Sequence, residues 1–141
     1  MNLFDREHLH LVYFAHPFGG SLHNLDDAEW MIAELSAIFD AVFWAPWIPV
    51  CRYWKNEGNS LERGMLLDKH AVKMSHRIWF SDELSTGMKA EEVVAIENGI
   101  ALSYFTRPQI IDIIQNPQSM LVQSLQQELS KDILVRSTII V

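Results

Sequence analysis

The sequence is poor in several things, and each shortage removes a class of protein. It has a single cysteine in 141 residues, Cys51, so an intramolecular disulfide is excluded and a reducing, intracellular setting is expected. Cations are outnumbered: 11 Lys and Arg stand against 18 Asp and Glu, a formal net charge of −7. Polymeric nucleic acid is held by clustered Lys and Arg, so no such partner is expected. A small anion stays within reach, because backbone N–H groups at a helix start hold phosphate without surplus cations. No apolar run approaches the ~18 residues that span a bilayer. The charged opening segment also lacks the apolar core of a secretory signal. A cytoplasmic protein without a membrane partner is therefore expected.

Internal repeats and low-complexity linkers are missing too, and 141 residues suit one core rather than two. One domain spanning residues 1–141 is expected, with a core over about 9–105 and a helical C-terminal extension over 107–141. Six histidines invite a metal reading, but their spacing offers only His8-x-His10 with no third ligand nearby. Neither a metal nor a cofactor is expected.

What is present is alternation. Residues 9–15 form a continuous apolar and aromatic run, suited to a strand buried on both faces. Pro17-Phe18-Gly19-Gly20-Ser21 is turn chemistry. A helix is predicted from about Asn24, its N-cap, to Phe39, with Ala28, Met31, Ile32, Leu35, Ile38 and Phe39 as its buried stripe. Residues 41–45 read as a second strand, and 51–59 as an irregular aromatic stretch. A helix follows over 60–75, carried by Leu61, Met65, Leu66, Ala71, Val72 and Met74. Then come a short strand at 77–80, a helix over about 88–98 closed by Gly99, and a strand at 100–105. Beyond Pro108, residues 110–114 and 120–129 look helical, and 133–141 reads as an extended segment. Four strand–helix alternations predict an α/β fold: a three-layer, doubly wound (Rossmann-like or flavodoxin-like) parallel sheet with helices on both faces.

Ligands of such sheets bind beyond the carboxyl ends of the strands. Three segments meet that description: 16–21, 46–54 and 81–89. The first offers backbone donors at a helix start. The second brings Trp47, Tyr53 and Trp54, flat surfaces for a base, although Trp44, Trp47 and Trp54 suit a core or an interface equally well. The third gives Ser85, Gly87 and the opening N–H groups of a helix. Glu91, one turn into that helix, is a carboxylate able to attack or stabilise an anomeric carbon. Asp68 supplies a second carboxylate for a proton or a hydroxyl. A solvated helix face would explain Glu91, its neighbour Glu92, or Asp68 just as simply. Cys51 reads as inert, with nothing in the sequence to depress its pKa.

Two blocks resemble a known pattern. Val12-Tyr13-Phe14-Ala15-His16-Pro17-Phe18-Gly19-Gly20 looks like the first strand and loop of the nucleoside 2-deoxyribosyltransferase superfamily, which includes the transferases proper and 2′-deoxynucleoside 5′-monophosphate N-glycosidases. Ser85-Thr86-Gly87-Met88-Lys89-Ala90-Glu91 resembles that family's Ser-x-Gly-x-x-x-Glu segment, and Asp68 falls where the family places an acidic residue. The variant with Met88 and a following Asn98-Gly99-Ile100 is most similar to uncharacterised, often phage-associated small domains of the superfamily. The resemblance implies catalytic roles for Glu91 as nucleophile and Asp68 as its assistant. It implies that Ser85 and the Gly19-Gly20 loop hold the 5′ end of the ligand, with a nucleoside or nucleotide as the small-molecule partner and a homodimer or larger homo-oligomer. Ligand contacts are also expected from Tyr13, His16, Phe18, Trp47, Gly87 and Met88, although the Trp-rich segment 44–54 fits no motif of the family. Three positions depart from the family: His16 stands where a small residue is usual, His76 where Asp is common, and Lys89 where monophosphate hydrolases tend to have Gly.

Three functions are therefore expected to compete. The first is cleavage or transfer of an N-glycosidic bond. The second is binding of a nucleotide or nucleotide-derived signal without turnover. The third is a structural subunit using segment 44–54 as an interface, with the three loops packed shut.

Overall fold

A computed structural model describes residues 10–53 and 60–140, with the side chains of 60–61 and 133–140 left aside. The described elements are β1 (Leu11–Ala15), α1 (Leu22–Ile38), β2 (Val42–Trp44), α2 (Trp47–Tyr53), α3 (Ser60–Met74), β3 (Arg77–Phe80), α4 (Thr86–Glu97), β4 (Ala101–Tyr104), α5 (Arg107–Gln115) and α6 (Met120–Ile140). The four strands form one parallel sheet in the order β2-β1-β3-β4, the doubly wound architecture that the alternation predicts. Parallel pairing forces each connection across a sheet face, and right-handed crossovers send successive connections to opposite faces where the chain reverses direction. Accordingly α1 packs with α5, and α3 packs with α4.

The two central strands are buried because apolar side chains point to both faces: Val12, Tyr13, Phe14 and Ala15 on β1, and Ile78, Trp79 and Phe80 on β3. Leu25, Ala28, Met31 and Leu35 form the buried stripe of α1 at spacings of three and four. Ile110 and Ile113 of α5 and Val122 and Leu129 of α6 join the same core. Arg77 fastens α6 to the start of β3 through Nε and Nη2, which donate to the Asp132 carboxylate at 2.7 and 2.9 Å.

Several boundaries differ from the sequence reading. The N-cap of α1 falls three residues early, at Ser21, and Asn24 instead donates its side-chain N–H to the Phe18 carbonyl at 3.0 Å. Segment 47–53 is helical because Pro49 falls in the first turn, where its missing N–H costs nothing. Residues 54–59, Trp54 among them, lie outside the described residues. On α3 only part of the expected apolar set faces inward. Ala71 and Val72 are buried, while Met65, Leu66 and Met74 are at least half exposed. The tail is not extended: α6 runs on through residues 133–140.

Candidate active site

The chain leaves β1 toward β2 on one side and leaves β3 toward β4 on the other, so the loops after these neighbouring strands diverge and a crevice opens above them. A cavity of about 390 Å³ occupies this crevice, lined by His16, Phe18, Gly19, Trp47, Cys51, Asp68, Ser85, Thr86, Gly87, Met88 and Glu91. That volume lies in the range of small-molecule sites. A smaller cavity of about 80 Å³, beside Met65, Lys69 and Ala90, reaches the same Asp68, Gly87 and Glu91.

Each wall follows from local sequence. Gly19 and Gly20 have φ of +55° and +77°, the left-handed region that side chains disfavour, and this reverses the chain between β1 and α1. Ser85 caps α4: its Oγ accepts from the Met88 N–H at 3.3 Å, and the Met88 sulfur accepts from the Ser85 N–H at 3.5 Å. The cap fixes the helix start, and Gly87 and Glu91, four residues apart, share a face of it. Asp68 precedes the buried Ala71 and Val72 by three and four residues, which places it on the inner face of α3. Trp47 and Cys51 are again four apart on α2. The Trp47 indole N–H donates to the Phe14 carbonyl at 2.9 Å, which pins the ring against the end of β1.

Of the residues expected at a ligand, His16, Phe18, Gly19, Trp47, Asp68, Ser85, Gly87, Met88 and Glu91 meet at this one cavity. Gly20 is exposed at the turn and does not line it. Tyr13 is fully buried and does not line it, although its hydroxyl and the Glu91 carboxyl influence each other's ionisation. Cys51 and Thr86 line the cavity without having been singled out as ligand contacts. Helical spacing from Trp47 would have found Cys51, had 47–53 been read as a helix. Glu92 faces elsewhere, accepting from the Tyr104 hydroxyl at 2.6 Å. Trp44 donates its indole N–H to Ser75 Oγ at 2.9 Å and is a packing residue. Among the described residues no cluster of His, Cys, Asp and Glu could hold a metal ion.

The electrostatics set the two carboxyls apart from ordinary surface acids. Burial pushes Glu91 up to about 8, with Asp68 adding to the rise and the Tyr13 hydroxyl opposing it. Burial alone pushes Asp68 up to about 7. Tyr13 is held well above the usual phenol range, first by burial and then by Glu91 and Asp68. Cys51 is driven to about 11, again chiefly by burial, and so stays a thiol. Tyr13 Oη, Asp68 Oδ1 and Glu91 Oε2 are all buried with no hydrogen-bond partner among the described residues. Unpaired buried polar atoms are costly, and the two on cavity-lining residues, Asp68 and Glu91, suit a ligand that supplies hydroxyl or N–H groups.

No protein-family model matches this chain, and no curated protein shows significant similarity to it.

Proposed function

We propose that the chain cleaves or transfers the N-glycosidic bond of a nucleoside or nucleotide, with Glu91 as nucleophile and Asp68 as proton carrier. The observation that carries this reading is the pair of partly buried carboxyls, each with an oxygen that has no partner among the described residues, lining one cavity between a glycine turn and a capped helix start. In the first step the Glu91 carboxylate attacks C1′, and the C1′–N bond breaks with its electron pair going to the base. The base takes the proton of the Asp68 carboxyl. In the second step water, or a second base, attacks C1′ and releases Glu91 as carboxylate, and the incoming group's proton returns to Asp68. Tyr13 serves by donating toward Glu91 as it ionises. Trp47, Phe18 and Met88 offer the apolar walls for a base, and Ser85 with the N–H groups opening α4 faces the 5′ end. The reading includes a homo-oligomer: α3 and α4 expose Met65, Leu66, Leu67, Met74, Val93 and Ile96, an apolar surface that a second copy would cover, and sedimentation measures it.

The test is release of free base from a panel of nucleosides and 5′-monophosphates. Wild type releases base, Glu91→Gln loses at least ~10³-fold as expected for removal of a nucleophile, and Asp68→Asn loses less. No release from any substrate by folded protein would overturn the proposal.

One observation favours a second reading, a binding protein without turnover. A carboxyl with its pKa near 8 is mostly protonated at neutral pH, and a protonated acid binds a hydroxyl well but attacks poorly. Recovery of tightly bound nucleotide intact after long incubation would select this reading. The structural-subunit reading expects closed loops, and the open 390 Å³ cavity weighs against it.

A further inference from the structure

His16 occupies a wall of the cavity, yet the reaction above gives it no task. Its surroundings supply one. The ring is almost fully buried and lies parallel to Phe14, with centroids 6.2 Å apart. Its Nδ1 lies 2.5 Å from Ser81 Oγ, immediately after β3. Its Nε2 lies 3.2 Å from Asp27 Oδ2 on α1. Asp27 is in turn gripped by Arg107 of α5, whose Nε and Nη2 donate to the two carboxylate oxygens at 2.9 and 2.6 Å. Four side chains from four parts of the chain thus form one line along the carboxyl edge of the sheet.

The chemistry of the line fixes its hydrogens. Arg107 holds Asp27 below the usual carboxylate range, against the effect of burial, so Asp27 is ionised and can only accept. The nitrogen facing it must therefore carry the proton. Burial lowers the His16 pKa, while Asp27 and Asp82 raise it and Arg107 lowers it, so the neutral ring prevails at neutral pH. The neutral ring with Nε2–H leaves Nδ1 as an acceptor for the Ser81 hydroxyl. Ser81 Oγ also lies 3.1 Å from the Ala15 carbonyl, an alternative acceptor if the ring becomes protonated. The arrangement is not a nucleophilic triad: Ser81 is fully buried and does not line the cavity.

We infer that His16 is a positioning residue, held as the Nε2–H tautomer between Ser81 and Asp27, and that through Asp27 the partly exposed Arg107 helps to set ligand affinity without touching the ligand. His16 precedes the glycine turn and Asp27 follows it on α1, so their contact ties the two flanks of the turn together, and the Asn24–Phe18 hydrogen bond is a second tie across it. Removing the contact frees the turn to move and blurs the wall that the ligand meets. The inference rests on the nucleotide reading only for the choice of probe.

The experiment has two arms. In the first, long-range ¹H–¹⁵N NMR of the wild-type protein at pH 7 reads the His16 ring, and backbone spectra read Gly19 and Gly20. The expected result is a protonated Nε2 and an unprotonated Nδ1, with Asp27→Ala and Arg107→Ala shifting the two glycine amides but not those of β4. In the second arm, calorimetry measures binding of the four 2′-deoxynucleoside 5′-monophosphates. Asp27→Ala and His16→Ala weaken the bound monophosphate about tenfold, the scale of one lost charged hydrogen bond, and Arg107→Ala does so by several-fold. His16→Gln, whose amide N–H can reach Asp27, stays within about threefold of wild type. A protonated Nδ1 in the folded protein, or Asp27→Ala and Arg107→Ala matching wild type at the glycine amides, overturns the inference. If no monophosphate binds wild type, the nucleotide reading fails, and the first arm still decides the role of His16.

Discussion

At the scale of the residue, the site is defined by two carboxyls that hold protons into the neutral range. Asp68 titrates near 7 and Glu91 near 8, and the proposed first step needs one ionised and one protonated. The competent form is the singly ionised pair with its proton on Asp68; because Asp68 is the stronger acid by about one unit, this is the minor of the two singly ionised forms, roughly one in ten, and both forms peak between those two values. A bell-shaped kcat/KM profile with its maximum between about pH 7 and 8 is expected. Below it both groups are protonated and the nucleophile is lost; above it both are ionised and the leaving base finds no proton. Asp68→Asn removes one titration and leaves a single limb. A profile flat from pH 5 to 9 would mean that neither carboxyl takes part. Neither value was legible in the sequence, because a pKa depends on what is stacked over the group in three dimensions, and residues 68 and 91 look like ordinary helix acids when read in order. The order of motifs pointed to them; their chemistry came from burial.

At the scale of the element, helix α4 does two jobs with one residue. Ser85 caps the helix and lines the cavity, so its substitutions separate stability from binding. Ser85→Ala loses the cap and about 1 kcal/mol of stability. Ser85→Asp restores a capping oxygen, so its thermal stability stays near wild type, but it places a negative charge where a phosphate would sit. Binding of monophosphates is then expected to weaken about tenfold relative to the matching nucleosides. Equal weakening of both ligands in the Asp variant would exclude a phosphate at this end. Elements were the most legible level of the sequence. The strand at 77–80 and the helical stretch before Gly99 follow from unbroken apolar runs and an αL stop. Segment 47–53 misled because residues 46–54 hold two prolines and three aromatic residues, which suggest irregular chain, whereas only Pro49 enters the helix and does so in its first turn. α3 misled in another way: its apolar count is high, but Met65, Leu66 and Met74 point outward, which no count can reveal.

At the scale of the whole molecule, the site stands at the one place where the winding of the sheet reverses, between β1 and β3. Alternation of strands and helices made that architecture legible, and the His16–Ser81–Asp27–Arg107 line was not, since it joins residues up to 80 positions apart. The site also weakens the fold it depends on. Asp68 and Glu91 bind protons more tightly in the folded protein than their ordinary values of 3.8 and 4.5 allow. The folded state therefore holds more protons than the unfolded chain from about pH 4 to 8, and the pair's contribution to stability falls as pH rises through that window. Glu91→Gln is expected to gain on the order of 1–2 kcal/mol over wild type at pH 8 and almost nothing at pH 4, read by urea unfolding. An equal gain at both pH values would place the carboxyl in solvent.

The central claim is that Glu91 faces the anomeric carbon of a bound nucleoside. A crystal structure of Glu91→Gln soaked with a 2′-deoxynucleoside 5′-monophosphate measures this directly. The expected result is a side-chain oxygen or nitrogen of residue 91 about 3–3.5 Å from C1′, on the face opposite the base. A nucleotide bound in the crevice with C1′ turned away from residue 91 would contradict it.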